Sequence, residues 1–323
     1  MATVMDAPNL GSARFAANDS LFELARKHPE IVVITCDNSQ EGTPLYRFAQ
    51  EFGDRFIDTG IAEQNALGMA AGLALSGKKV FVQSFASFMT MRAIEYIYLD
   101  AAYNQAPVVF MGTHCGVTAS TAGPTHFALL DIAYTRVIPN MTVIVPSDPR
   151  VATAIMEQLM DWPQAAYIRL PKGLEPVVYQ KDIEVKIGKG ILVREGSDIA
   201  LIGCGSGVYA CLRAAYRLER EGVSVRVIDI HTIKPIDEEI ILAAAEETHG
   251  IVTCEDHMVS GGLGSAVVEL ITASRHGHGY PQIIRLGIPD CYPIQGETPT
   301  DIYHHYGYDE EGVYAAAKKL LAQ

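Results

Sequence analysis

The sequence predicts an α/β fold with mainly parallel sheets, arranged as two domains. Short apolar runs rich in β-branched residues alternate with helical patterns along the chain, as parallel strands joined by crossover helices require. The alternation stops between Pro171 and Gly190, where Pro, Gly and Lys collect, and then resumes. The 323 residues suffice for two cores of ordinary size. These observations place a first domain over residues 1–173, a linker over 174–189 and a second domain over 190–323.

In order, residues 9–28 carry a helical pattern with Phe15, Leu21, Phe22 and Leu24 as its apolar positions, ended by His28-Pro29. Ile31-Val32-Val33-Ile34 is a buried strand, and Phe56-Ile57 a short one leading into a helix from about 63 to 75. Val80-Phe81-Val82 is the next strand. Residues 84–92 begin a helix running to about Gln105, and Pro107 starts a strand to Met111. Residues 112–127 are too rich in small and turn-forming residues for a helix, and long polar loops of this kind usually carry function. A helix at 127–136, a strand at 142–145, a helix at 150–161 and a strand at 166–170 complete the first domain. The second has strands at 199–203, 223–228, 250–254 and 283–286, helices at 208–221, 237–247 and 261–272, and a closing helix from about 309.

Composition excludes several classes of function. Hydrophobic content of 49% and charged content of 20% mark a globular chain, and no apolar run approaches the ~18 residues of a membrane span. Asp6 and Pro8 precede any apolar stretch, unlike a signal peptide, so the expected location is the cytoplasm. The net charge of −13 opposes a nucleic-acid or anionic-membrane surface. Six cysteines without a CxxC pair read as reduced thiols rather than disulfides or a zinc site.

The stretch with most chemical content is Phe56-Ile57-Asp58-Thr59-Gly60-Ile61-Ala62-Glu63-Gln64-Asn65 and the Ala- and Gly-rich helix behind it. Small residues there suit a helix closely approached by another backbone. Glu63 in the first turn could simply complement the helix dipole. A lone carboxylate leading an uncharged, buried helix is also desolvated, which favours its protonated form and suits proton transfer. Asp37 stands at the carboxyl end of a strand, where open α/β sheets place ligand contacts, although such an Asp is often only a turn residue. Arg169, just after a strand, offers a bidentate fork to an anion. The run Gly203-Cys204-Gly205-Ser206-Gly207 lacks the spacing of a dinucleotide site. His276 and His278 read as solvated loop histidines.

With Asp58-Thr59-Gly60-Ile61-Ala62-Glu63-Gln64-Asn65, Ser84-Phe85-Ala86-Ser87-Phe88, Gly123-Pro124-Thr125-His126 and Ile138-Pro139-Asn140-Met141 in this order, the chain resembles the C-terminal half of transketolase. The resemblance covers the pyrimidine-binding and C-terminal domains, from about residue 9 onward, and is to the small subunit of a split enzyme. It implies a thiamine-diphosphate-dependent transfer of a two-carbon ketol unit from a ketose to an aldehyde. Glu63 would hydrogen-bond a ring nitrogen of the cofactor's aminopyrimidine, favouring the imino tautomer that takes the thiazolium proton. Phe85 and Phe88, three apart on one helical face, would wall the ring, with Met91 where the family often has an aromatic and Ile61 and Asp37 also near the cofactor. His126 would bond donor and intermediate oxygens, and Arg14, His114 and Arg169 would hold the substrate's terminal phosphate.

Two departures qualify the resemblance. Ala122 stands where transketolases usually have the Asp that reads a sugar hydroxyl, so an atypical or branched sugar is expected. No GDG followed by a downstream Asn occurs, so the Mg²⁺ or Ca²⁺ and diphosphate site must come from an N-terminal transketolase subunit, in an α2β2 assembly where this chain also pairs with itself. A 1-deoxyxylulose-5-phosphate synthase or the β subunit of a 2-oxoacid dehydrogenase is the rival reading. A non-enzymatic assembly paralogue is disfavoured by Glu63 and the two Phe residues.

Overall fold

The computed structural model describes residues 9–181, 183–274 and 279–322; His276 and His278 lie outside them. Helix α1 (Ala13–Lys27) starts at Ser12, whose hydroxyl accepts from the Phe15 N–H at 3.2 Å and so satisfies an otherwise orphaned donor. Then follow β1 (Ile31–Thr35), α2 (Pro44–Glu51), β2 (Phe56–Asp58), α3 (Glu63–Leu75), β3 (Lys79–Phe85), α4 (Ala86–Met91), β4 (Val109–Thr113), α5 (Asp131–Arg136), β5 (Met141–Ile144), α6 (Pro149–Leu159) and β6 (Ala165–Arg169). The second half contains β7 (Ile191–Arg194), β8 (Ile199–Gly203), α7 (Ser206–Glu219), β9 (Val225–Asp229), β10 (Thr232–Lys234), α8 (Glu238–Glu247), β11 (Gly250–Met258), α9 (Leu263–Ala273), β12 (Gln282–Ile288), α10 (Pro299–Tyr306) and α11 (Glu310–Leu321).

The first sheet has the order β10-β5-β6-β4-β3-β1-β2, parallel except for β10. The second runs β12-β11-β8-β9-β7, parallel except for β7. Strands β1, β4 and β6 are buried along their whole length, which is why they read as continuous apolar runs rather than alternating ones. Strand β10 comes from the second half of the chain but pairs antiparallel with β5, adding an edge to the first sheet. One apolar cluster runs from Ala66 and Leu67 of α3 through Val143 and Val145 to Ile202 and Ile230, so the two halves share a core.

The segment expected to be a linker is pinned. Asp148 caps α6 by accepting from Arg150 N–H and Val151 N–H with one oxygen, and from Val178 N–H and Tyr179 N–H with the other. The Tyr179 hydroxyl in turn donates to Asp229 at the end of β9, as does Ser147. The glycines at 203–207 serve packing: a Cβ on Gly207 would lie 2.2 Å from the Cys254 carbonyl oxygen, so only glycine lets α7 approach β11 this closely.

Four expectations change. The helix expected to reach Gln105 breaks after Met91, resumes briefly at Ile94–Tyr96 and widens to a π-helix at Ile97–Tyr103. Thr90 donates its hydroxyl back to the Ala86 carbonyl at 2.8 Å, a bond that bends helices. Phe85 ends β3 instead of sharing a helical face with Phe88. Among the described residues the glycines of α3 meet no neighbouring backbone: a Cβ on Gly68 would meet only side chains, at 3.6 Å or more, and one on Gly72 nothing within 4 Å. Helices α2 and α10 and strands β7 and β10 were not anticipated; they are eight residues or fewer, too short for periodicity to show.

Candidate active site

The carboxyl ends of β1, β3 and β4, adjacent in the first sheet, converge on one crevice, the place where parallel sheets present ligand contacts. Glu63, the first residue of α3, is only 2% exposed. Its carboxylate lies 3.3 Å from the Arg92 guanidinium and 3.5 Å from the Ser84 hydroxyl. The predicted burial of Glu63 is present, but the acid is not alone: Arg92, at the helix break, faces it and lies 4.5 Å over the Phe88 ring. Arg92 is the main residue that sequence reasoning missed. Its partner is 29 positions away, and an arginine inside an expected helix looks like a surface charge.

Beside Glu63 the rings of Phe85 and Phe88 lie nearly parallel, 15° apart with centroids at 5.5 Å. His114 stacks on Phe85 at 3.9 Å, and His126 meets Phe88 edge-on at 5.2 Å and Phe85 at 6.0 Å. The loop holding Gly123-Pro124-Thr125-His126 is therefore fastened to the aromatic wall. The Thr125 hydroxyl engages His126 Nδ1 at 2.8 Å. Ile61, 73% exposed, precedes Glu63 on the same turn. Asp37 is exposed in a left-handed backbone conformation (φ 55°), and its N–H donates to Asp58, which also accepts from Gly60 N–H and orders both turns.

A cleft of about 240 Å³ opens next to this wall, lined by Arg14, Asn18, Gln40, Gln83, Phe85 and His114. Arg14 Nε, Asn18 Oδ1 and Gln83 Oε1 are buried there without a hydrogen-bond partner among the described residues. Buried polar groups are normally satisfied, so this cleft suits a polar occupant. Burial lowers the Arg14 pKa. His114 is pushed down to about 3, by burial first and then by the positive charges of Arg14, Lys172 and His126. His114 thus stays neutral at physiological pH while two permanent cations face it. Lys172, in the turn after β6, was not singled out from the sequence.

The structure does not bring Arg169 to this cleft. Its side chain is 3% exposed; Nε donates to Asp131 at 2.7 Å, and a terminal nitrogen donates to the carbonyls of Ala128 and Asp256 at 2.9 and 2.7 Å. The expected anion clamp is corrected to a buried tie between the halves, because Nε and one terminal nitrogen of the fork are already committed. Met91, half exposed, lines a separate apolar groove with Pro124, Phe127 and Tyr292. Ala122 is exposed in a 3₁₀ turn held from the second half, where Gln295 donates to the Thr121 carbonyl and Ser120 to that of Glu297. Asp256 completes the docking: both of its oxygens accept from Val117 N–H at 3.2 Å, and a Cβ on Gly116 would collide with it at 1.7 Å.

Two domain families match the chain: the pyrimidine-binding domain of transketolase over residues 12–177 and the transketolase C-terminal domain over 188–313. The chain belongs to the transketolase family. It is 39% identical to one of the subunits of the apulose-4-phosphate transketolase of Phocaeicola vulgatus, covering 98% of this chain and 99% of that one. It is 36% identical to 1-deoxy-D-xylulose-5-phosphate synthase 1 of Geobacter sulfurreducens, spanning 49% of that protein. Among solved structures, a split-gene transketolase in an inactive β4 tetramer superposes with a TM-score of 0.85 at 36% identity, covering 96% of this chain and 98% of that one. A transketolase from Pichia stipitis shares the fold at 20% identity and a TM-score of 0.80, with 46% of its chain covered. The resemblance read from the sequence is therefore shown, as is its form, a split-transketolase small subunit.

Proposed function

We propose that this chain is the cofactor-activating and sugar-binding subunit of a two-subunit transketolase that moves a two-carbon ketol unit from an anionic ketose to an aldehyde. The observation that carries the reading is a buried carboxylate, Glu63, beside the parallel Phe85–Phe88 wall, with a cationic, unsatisfied cleft next to it. These residues fit thiamine diphosphate. An aminopyrimidine needs a flat apolar face and a carboxylate for its ring nitrogen, and Ile61 adds an exposed apolar side chain at the same turn. The bound cofactor supplies a carbon nucleophile for the donor carbonyl. Glu63 hydrogen-bonds the ring nitrogen and exchanges a proton with it, in a site dry enough for the exchange to be effective. His126 donates to or accepts from the sugar oxygens nearest the reacting carbon. Arg14 and Lys172 attract the distal anion, while neutral His114 and Asn18 offer hydrogen bonds.

The diphosphate and its Mg²⁺ or Ca²⁺ are assigned to an N-terminal transketolase subunit; the sequence lacks the GDG motif. Exposed apolar side chains at Tyr98, Leu99, Tyr103 and Val137 support burial against further chains in an α2β2 assembly. The relationship to a 1-deoxy-D-xylulose-5-phosphate synthase keeps a second reading, condensation from pyruvate. Reconstituting the chain with its partner and comparing ketose phosphates with pyruvate as donors separates the two. Ketol transfer from a ketose confirms the proposal, and turnover of pyruvate alone overturns it.

A further inference from the structure

Arg92 makes a pair of contacts that together have a chemical meaning. Its guanidinium is a flat cation that donates an N–H to a Glu63 oxygen at 3.3 Å and lies over the face of Phe88 at 4.5 Å. A flat, N–H-bearing ring held by Glu63 and stacked on the aromatic wall would need the same two features. That such a ring binds here rests on the cofactor reading above, together with the match to a pyrimidine-binding domain.

We propose that Arg92 is a placeholder for the cofactor's aminopyrimidine: it holds one oxygen of the Glu63 carboxylate and the Phe88 face, and it swings into solvent when the ring binds. The geometry permits the exchange. Glu63 is fixed, 2% exposed at the start of a buried helix, whereas the Arg92 side chain is 44% exposed and sits where the helix is already interrupted. A buried, ionised carboxylate is costly without a cation beside it, and a guanidinium fits because it can also lie flat on a ring. The Arg92 contacts to Glu63 and Phe88 are then given up on binding, and affinity is reduced by the population of that arrangement.

Signs of effect distinguish this role from others. A residue that only supports the fold lowers stability equally with and without cofactor. A direct cofactor ligand weakens binding when removed. A placeholder does neither: its removal destabilises the empty site and tightens binding. The test uses Arg92→Met in the full chain reconstituted with its partner, titrated with thiamine diphosphate and Mg²⁺ by fluorescence and melted with and without them. The expected result is about 10-fold tighter binding, with a melting temperature roughly 2–4 °C lower in the cofactor-free complex and unchanged in the saturated one. If the Met variant does not assemble, Arg92→Lys, which keeps the charge and loses the planar stack, is read by the same signs. Equal or weaker binding in the variant overturns the placeholder. Absence of binding to the unaltered complex instead removes the cofactor reading on which it rests.

Discussion

Glu63 was legible as a candidate because it leads a helix otherwise free of charge, and its burial follows from the Ala-rich face behind it. Its electrostatic partner was not legible, because the fold alone brings Arg92 to it. Replacing Glu63 by Gln keeps the shape and removes the proton, so cofactor-dependent turnover should fall by ~10²- to 10⁴-fold while assembly is retained; steady-state rates and gel filtration check this. Arg169 shows the opposite failure. An arginine at a strand end reads the same in sequence whether its fork meets a ligand or a buried Asp131. Arg169→Met should cost about 3–5 kcal/mol of stability by stranding Asp131, and KM for anionic and neutral sugars should shift alike in the protein that folds. Denaturation and a two-substrate comparison decide the point. At Ala122 no carboxylate is present to accept from a sugar hydroxyl. Ala122→Asp should raise kcat/KM for common ketose phosphates relative to the natural donor, as competition assays would show.

Among the elements, the longer strands of the parallel sheets were readable because both of their faces are covered and their composition is uniformly apolar. The loop over 112–127 stood out in the sequence by its small residues, but what holds it did not. The bonds from Asp256, Gln295 and the Glu297 carbonyl reach it across well over a hundred positions. Gly116 is the most sensitive point, since its φ of 57° and its contact with Asp256 both require glycine. Gly116→Ala should detach the loop from Asp256. The expected outcome is a rise in KM for the sugar donor and faster amide exchange at Val117, with cofactor affinity preserved because Glu63 and Phe88 lie on other elements.

At the scale of the whole molecule, the halves are joined by ionisable groups inside the protein, and this sets a pH dependence. Asp229 is fully buried between Ser147 and Tyr179, and burial pushes its pKa from 3.8 up to about 7 against the lowering effect of those two hydroxyls. A raised carboxyl binds its proton more tightly folded than unfolded. Stability from this group is therefore greatest below pH 3.8, is lost as pH rises toward about 7, and changes no further above that. Asp229→Asn should flatten the melting-temperature profile between pH 4 and 7, making the variant relatively more stable at pH 7.5 than at pH 5. An unchanged difference between the two pH values would place the titration elsewhere. None of this was visible in the sequence, where Asp229 stood at the end of an ordinary strand.

The pairing of β10 with β5 has a practical consequence for dividing this chain. The segment between the two halves invites a cut near residue 180, yet a fragment ending there would lack Thr232–Lys234 and would present β5 as an open edge. Bare edges with uncommitted N–H and carbonyl groups recruit strands from other molecules. Such a fragment would be expected to self-associate or precipitate, and a fusion or permutation of this protein would have to keep residues 141–144 and 232–234 in the same polypeptide or supply a substitute strand.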